Sequence, residues 1–262
     1  MKKSLYYLIL CFFSMNIIEG QTTSQSNSIK SFGSGEYLLY TMDYGLLTGG
    51  KALLSVKDTV LFGENTLHLT GTAYTVGLAD VLYKIRDTYE SFISPNSLYP
   101  VKSIRNIREG RYRYYNEVLF NHGSDSTRIT SQKSGEKYVP ADIYDIVSAF
   151  YVGREKYFND TMKEGDVITI LTYFSDKEFP LRIRYMGNEV IKTSFGKLEC
   201  YKFSPVTETG RAFKTENDMQ VWITRDKNKL PVRVRFNLVV GAFVCDLQEF
   251  KGLKNPFSSF IP

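Results

Sequence analysis

Between residues 36 and 250 apolar and polar positions alternate in short runs separated by turn residues. The runs at 37–44, 51–57, 66–76, 86–93, 101–107 and 112–120 each put every second side chain on an apolar face. Side chains along a strand point to opposite faces in turn, so this period of two predicts strands with one buried and one wet side. Turn residues fall between the runs at Gly49-Gly50, Gly63-Glu64-Asn65, Pro95-Asn96, Glu109-Gly110 and Gly123-Ser124. Strands and turns at this spacing predict an antiparallel meander. A short helical piece is expected at 78–83.

The period changes near residue 142. Ile143, Ile146, Val147, Phe150 and Tyr151 recur at helical spacing and predict one helix over 142–158. Asp142 suits its N-cap, Asp145 its first turn, and Arg154 and Lys156 the negative end of its dipole. Strands resume at 167–174, 181–188, 189–193, 198–206, 219–225, 232–238 and 243–250. The expected fold is mainly β, an antiparallel meander forming a curved sheet or open barrel-like architecture with one principal helix. That helix either bridges two half-sheets or packs across one curved sheet. Antiparallel strands with so few helices exclude a doubly wound fold.

The amino terminus has a different pattern. Lys2 and Lys3 precede an apolar run over residues 5–13, and a polar stretch follows from Gln21. This is the layout of a cleaved signal peptide, and the run is too short to span a bilayer. The expected organisation is a signal peptide over 1–20, a flexible segment over 21–34, one β-rich domain over 35–252 and a tail over 253–262. No segment after the signal is long and apolar enough to be a transmembrane helix. Cleavage leaves two cysteines, Cys200 and Cys245, both in strand-like runs. In an oxidising compartment they are candidates for a disulfide, with two buried thiols as the alternative.

Composition sharpens this reading at two points. Aromatic residues make up 15% of the 262-residue chain, which suits a β core and also suits an aromatic-lined cleft. The net charge is +5 with both signs interspersed, so no basic tail points to nucleic acid. The densest basic patch is Arg105, Arg108, Arg111 and Arg113, read as the solvated face of a hairpin around Glu109-Gly110.

Gly45-Leu46-Leu47-Thr48-Gly49-Gly50-Lys51-Ala52 nearly spells a phosphate-binding loop. Such a loop needs a Ser or Thr after the lysine to bind magnesium and a helix to follow. Ala52 offers no oxygen, and the next residues read as a strand, so the segment is a glycine-rich hairpin. The two histidines, His68 and His122, have no metal-spaced partners, and no nucleophile elbow is present. No catalytic residue, metal site or cofactor is expected.

Several segments, in order, carry a resemblance: Gly35-Glu36 with Tyr40 and Tyr44-Gly45, then Gly50-Lys51-Ala52, then Arg86-Asp87-Thr88-Tyr89-Glu90-Ser91. Asp145-Ile146-Val147-Ser148-Ala149-Phe150-Tyr151 with Arg154, Gly187-Asn188-Glu189 with Gly196 and Cys200-Tyr201-Lys202, and Val221-Trp222-Ile223 with Asp226, Leu230-Pro231-Val232 and Gly241 continue it. Together they resemble the DUF3108 family, uncharacterised proteins of the bacterial envelope. The resemblance implies a periplasmic protein of a Gram-negative cell and supplies no catalytic residues. The pattern is also loosely similar to periplasmic lipoprotein carriers, whose curved sheets hold acyl chains.

The leading expectation is an exported envelope protein that binds a hydrophobic or lipid-like ligand, or an envelope protein, on the concave face of its sheet. Phe150, Tyr151 and Trp222 are the candidate ligand-facing residues, with ordinary core packing as their alternative. One rival is a hydrolase of envelope glycan or lipid using carboxylates such as Asp87 and Glu90. The other is a structural or assembly role.

Overall fold

The computed structural model describes residues 29–206, 219–237 and 241–261. The signal peptide over 1–20, residues 21–28, the polar stretch 207–217 and Leu238 of an expected strand lie outside them. Eight strands form the first run: β1 (Tyr37–Tyr44), β2 (Leu47–Leu61), β3 (Glu64–Thr75), β4 (Arg86–Ile93), β5 (Pro100–Glu109), β6 (Tyr112–His122), β7 (Ser126–Ser131) and β8 (Gly135–Pro140). A short helix α1 (Gly77–Leu82) connects β3 to β4. Helix α2 (Ile146–Val152) and a π-helical turn (Gly153–Tyr157) follow β8. The second run is β9 (Val167–Phe174), β10 (Lys177–Thr193), β11 (Gly196–Pro205), β12 (Met219–Thr224), β13 (Pro231–Asn237) and β14 (Ala242–Lys251).

All fourteen described strands form a single antiparallel sheet in the order β8-β7-β6-β5-β4-β3-β2-β1-β14-β13-β12-β11-β10-β9. The chain starts in the middle at β1 and winds outward to one edge. It crosses by way of α2 to the other edge, then winds back until β14 pairs with β1. The edges β8 and β9 do not pair, so the sheet is curved but open. The crossing segment covers the gap: Tyr144 bridges Thr172 in parallel and exchanges backbone hydrogen bonds with Leu171 and Tyr173. Val118, Ile129 and Val139 of β6–β8 pack with Ile143 and Tyr173. There is thus one curved sheet, and α2 packs inside it, touching β3 and β4 on one side and β9 on the other.

Several local expectations are corrected. The first turn is not at Gly49-Gly50. It centres on Gly45, whose φ of 60° is left-handed, while Gly50 sits inside β2 opposite both Met42 and Thr75. The phosphate-loop lookalike is therefore a hairpin whose glycines lie in a strand. The runs 181–188 and 189–193 are one strand, β10, kinked by a register shift between Tyr185 and Asn188. Strands β7 and β8 escaped the reading because their inward positions include Thr127 and Ser131, so an apolar alternation is weak. Residues 29–34 pack against the domain rather than standing clear of it, with Phe32 fully buried. Cys200 and Cys245 are free thiols rather than a disulfide. Register explains why: Cys200 shares a face with Lys202, Trp222, Arg233 and Asp246, whereas Cys245 points to the other face, with β12 and β13 between. Burial pushes both thiols up to about 12.

The expected 17-residue helix is only seven residues of α-helix plus the π-helical turn, and its cap is Asp145, not Asp142. The Asp145 carboxylate accepts from the backbone N–H groups of Val147 and Ser148 at 2.8 and 3.1 Å. Ser148 Oγ accepts in return from the Asp145 N–H at 3.0 Å, completing a capping box. Ser91 of β4 donates to the same carboxylate at 2.5 Å, which anchors the helix start to the sheet. Asp142 instead accepts from the Tyr99 hydroxyl near the surface. We expect Asp145→Ala to cost about 2 kcal/mol, the upper part of the N-cap range, and Asp142→Ala well under 1 kcal/mol. Paired chemical denaturation curves check the difference.

Candidate functional site

The interior of the curved sheet is filled in three layers. At one end Arg105 points inward and lies over the rings of Tyr89, Tyr114 and Phe174, at 5.4, 4.9 and 4.3 Å. Only Arg108, Arg111 and Arg113 of the basic patch form the solvated face that the sequence suggests. Beside Arg105 the β9–β10 turn, with Ser175 and Asp176 both at positive φ, docks on β6 and β7. Asp176 accepts from Ser131 at 2.6 Å, Ser134 at 2.9 Å and Asn116 at 3.2 Å. Burial alone would raise its pKa, but these hydrogen bonds and the nearby Lys137 outweigh burial and hold the carboxyl below its usual range. A depressed pKa stabilises the fold above the unfolded value of about 3.9 and loses that contribution as pH falls through the folded value. Asp176→Asn should therefore flatten the acid limb of the stability–pH curve below about pH 4. Thermal melts between neutral and acid pH measure this, and Asn tolerates the left-handed backbone.

The middle layer is apolar. Val56, Leu69, Ile93 and Ile170 close on Ala149, Tyr151 and Val152 of the helix. The third layer is a fully buried ion pair, Arg154 with Glu36, at 2.6 and 2.7 Å. Arg154 also donates to the carbonyl oxygens of Ser31 at 3.1 Å and Asn228 at 2.9 Å. Burial would lower its pKa, yet the Glu36 carboxylate more than offsets this and keeps the guanidinium charged. Asn228 in turn donates to the Asn255 and Pro256 carbonyls. One guanidinium thus ties the amino-terminal strap (residues 29–36), the π-helical turn, the β12–β13 turn and the C-terminal tail together.

Above this layer lies a groove of about 500 Å³, between the strap, the tail and the β4–β5 connection. Ile29, Leu67, Pro95 and Leu253 give it apolar walls, and Asp58, Asn96 and Lys254 give it polar ones. Its floor is Phe32, which packs edge-on against Tyr151 at 4.7 Å. Strap and tail cross so closely that a Cβ at Gly252, which has φ of 61°, would lie 2.0 Å from the Gly35 carbonyl oxygen. Only glycine permits that crossing.

The residues singled out by sequence lie elsewhere. Tyr151 is fully buried one layer beneath the groove floor, and Phe150 is half-buried beside it. Trp222 is buried with Cys200, Leu230 and Val232, with Lys202 Nζ 5.3 Å from its ring. None of the three lines the groove. Asp87 and Glu90 do not converge, because three residues apart on β4 they face opposite sides of the sheet. Glu90 meets His68 on the outer face at 2.6 Å. Asp87 lies inside against Glu109, whose carboxyl is held above its usual range by burial and by the Asp87 charge. His122 is engaged by the carbonyls of Ala141 and Pro100. Among the described residues no three His, Cys, Asp or Glu side chains group to hold a metal ion.

The groove and the Glu36–Arg154 pair were missed from sequence. One signal was present: Arg154 continues the apolar stripe of Phe150 and Tyr151 by four and three positions, so its charge was bound inward. Nothing in the sequence placed Glu36 opposite it.

The fold defines a class of open, barrel-like antiparallel β proteins closed by a short helical plug. The chain belongs to the DUF3108 family of proteins of unknown function, whose family model matches residues 39–248. A beta-barrel-like protein of domain of unknown function DUF1849 from Brucella abortus shares the fold. It has a TM-score of 0.53 and 6% identity, over 83% of this chain and 97% of that one. A DUF1089 family protein from Pseudomonas aeruginosa aligns at a TM-score of 0.29 and 9% identity, over 78% and 90% of the two chains. No functionally curated protein matches the sequence significantly.

Proposed function

We propose that this is an exported periplasmic protein that works by binding an amphipathic, lipid-like molecule in the groove, not on the concave face of its sheet. The observation that carries the reading is the groove itself. Its volume of about 500 Å³ falls within the roughly 300–1,000 Å³ of small-molecule sites, whereas the concave face is filled by the protein's own helix. Ile29, Leu67, Pro95 and Leu253 suit a short acyl or aromatic group, and the polar part of the lining, which is the larger and includes Asp58, Asn96 and Lys254, suits a polar head. Export rests on the sequence of residues 1–20.

The test uses protein recovered from the exported fraction of expressing cells. Mass spectrometry of the intact chain reads its amino terminus, and native mass spectrometry with solvent extraction reads any bound molecule. An environment-sensitive fatty-acid probe should bind the stripped protein. Asn96→Trp, at an exposed groove position, should weaken that binding at least about tenfold by filling space, with an unchanged melting temperature. If the probe binds Asn96→Trp as well as the parent chain, the groove is not the site.

A further inference from the structure

The end of the sheet opposite the groove carries a second feature. In an antiparallel meander successive connections alternate between ends. The β1–β2 turn, α1 and the β5–β6 turn therefore share one end, and the strap, the β4–β5 connection and the tail share the other. At the first end large apolar side chains face outward. Leu46 and Leu47 stand on the β1–β2 turn, with Leu46 fully exposed. Helix α1 buries none of its residues, and Leu78, Val81 and Leu82 form a stripe on it at i, i+3 and i+4 that is 69–82% exposed. The helix is held beside the turn, since Val76 N–H donates to Gly49 O at 3.0 Å and a Cβ at Gly49 would lie 3.6 Å from that of Ala79. Tyr83, half exposed, continues the patch, and the Tyr44 and Phe243 rings, 5.1 Å apart, extend it across β1 and β14.

The border of this patch is cationic. Gly110 N–H donates to Lys84 O at 2.8 Å, and the Tyr83 ring lies against Gly110, so the β5–β6 turn abuts α1. That turn presents Arg108, Arg111 and Arg113, all exposed, and Lys84 is exposed beside them. None of these four forms an ion pair among the described residues. The helix's own acid, Asp80, is neutralised by Arg86 at 2.6 Å. Along the outer wall, by contrast, cross-strand pairs such as Lys102–Glu117, Lys202–Glu189 and Arg233–Asp246 match their charges.

We propose that this rim docks on an anionic phospholipid bilayer. An apolar stripe flanked by unpaired lysine and arginine is the chemistry of an interfacial element: the apolar side chains enter the acyl boundary while the cations meet lipid phosphates. A contiguous exposed apolar patch on a soluble monomer marks an interaction surface, and the excess of positive charge selects the partner. The contact is by one end of the sheet, which leaves the groove facing away from the bilayer. This inference does not depend on the groove holding a ligand.

The test uses one introduced tryptophan at a time as reporter, read as the difference from the parent chain, whose sole native tryptophan, Trp222, is buried. Leu46→Trp reports the rim, and Val60→Trp, exposed at the opposite end, is the control. With phosphatidylglycerol-containing vesicles the Leu46→Trp emission should shift to the blue and be quenched by brominated acyl chains, while Val60→Trp stays unchanged. Binding should weaken several-fold as salt screens the cations. The double variant Leu46→Asp, Leu82→Asp should partition at least about a hundredfold less, with unchanged melting, since both positions are exposed. Equal responses of the two reporters, equal binding to phosphatidylcholine vesicles, or a blue shift that grows with protein concentration without lipid would each overturn the proposal. The last outcome would assign the rim to contact between copies of the chain.

Discussion

Replacing Arg154 with Met should destabilise the protein by roughly 3–5 kcal/mol, among the largest single effects in the molecule. The reason is what remains behind. Glu36 would keep a carboxylate with no access to water, and the Ser31 and Asn228 carbonyls would lose their donor. Glu36→Leu should do comparable damage by stranding the guanidinium. The double variant, Glu36→Leu with Arg154→Met, should recover much of the loss, because a buried pair replaced by apolar groups of similar volume is often neutral. Urea denaturation of the four proteins forms a double-mutant cycle. A double variant no better than the sum of the singles would mean the pair is not coupled. The cycle also shows whether strap, plug and tail unfold together, since Arg154 touches or indirectly reaches all three.

Phe32→Ala is the second large effect, with an expected cost of about 3–5 kcal/mol. Phe32 is fully buried, packs on Tyr151 at 4.7 Å and lies 5.6 Å from the Arg154 guanidinium. Removing its ring would leave a cavity between strap and plug and open the floor of the groove. The loss should appear in the melting temperature and in binding of the fatty-acid probe together. Phe150→Ala should cost clearly less, because Phe150 is only half-buried. If Phe32→Ala leaves the melting temperature unchanged, the strap is not part of the cooperative core.

These two side chains also show where sequence reasoning stops. The strand pattern was legible because a sheet with one buried face writes its period of two directly into the chain. β1, β4 and β9 fall where the alternation put them. The pattern failed where burial and polarity part company. β7 hides Ser131 and Thr127 inside because each finds a partner far from β7 in sequence or on a neighbouring segment: a turn from the far edge of the sheet brings Asp176 to Ser131, and the Thr127 hydroxyl donates to the Ala141 carbonyl. The helix stripe from Ile143 to Tyr151 was visible, but its start was not. Asp142 and Asp145 are equally good caps by residue type, and the choice was made by Ser91, 54 residues away, which reaches only Asp145.

The sequence by itself determined an antiparallel meander with a single crossing helix, because periodicity and turn chemistry are local. Only the tertiary structure decided that β1 and β14 pair, which joins two runs of strands into one sheet. That pairing brings residues 29–36 and the tail together over the plug. It makes Glu36 the partner of Arg154, fills the concave face on which Phe150 and Tyr151 were expected to meet a ligand, and leaves the groove at its edge. It also separates Cys200 from Cys245 onto opposite faces. Each of these rests on contacts between residues far apart in the chain, and the free energy that selects them has no period to be read along it.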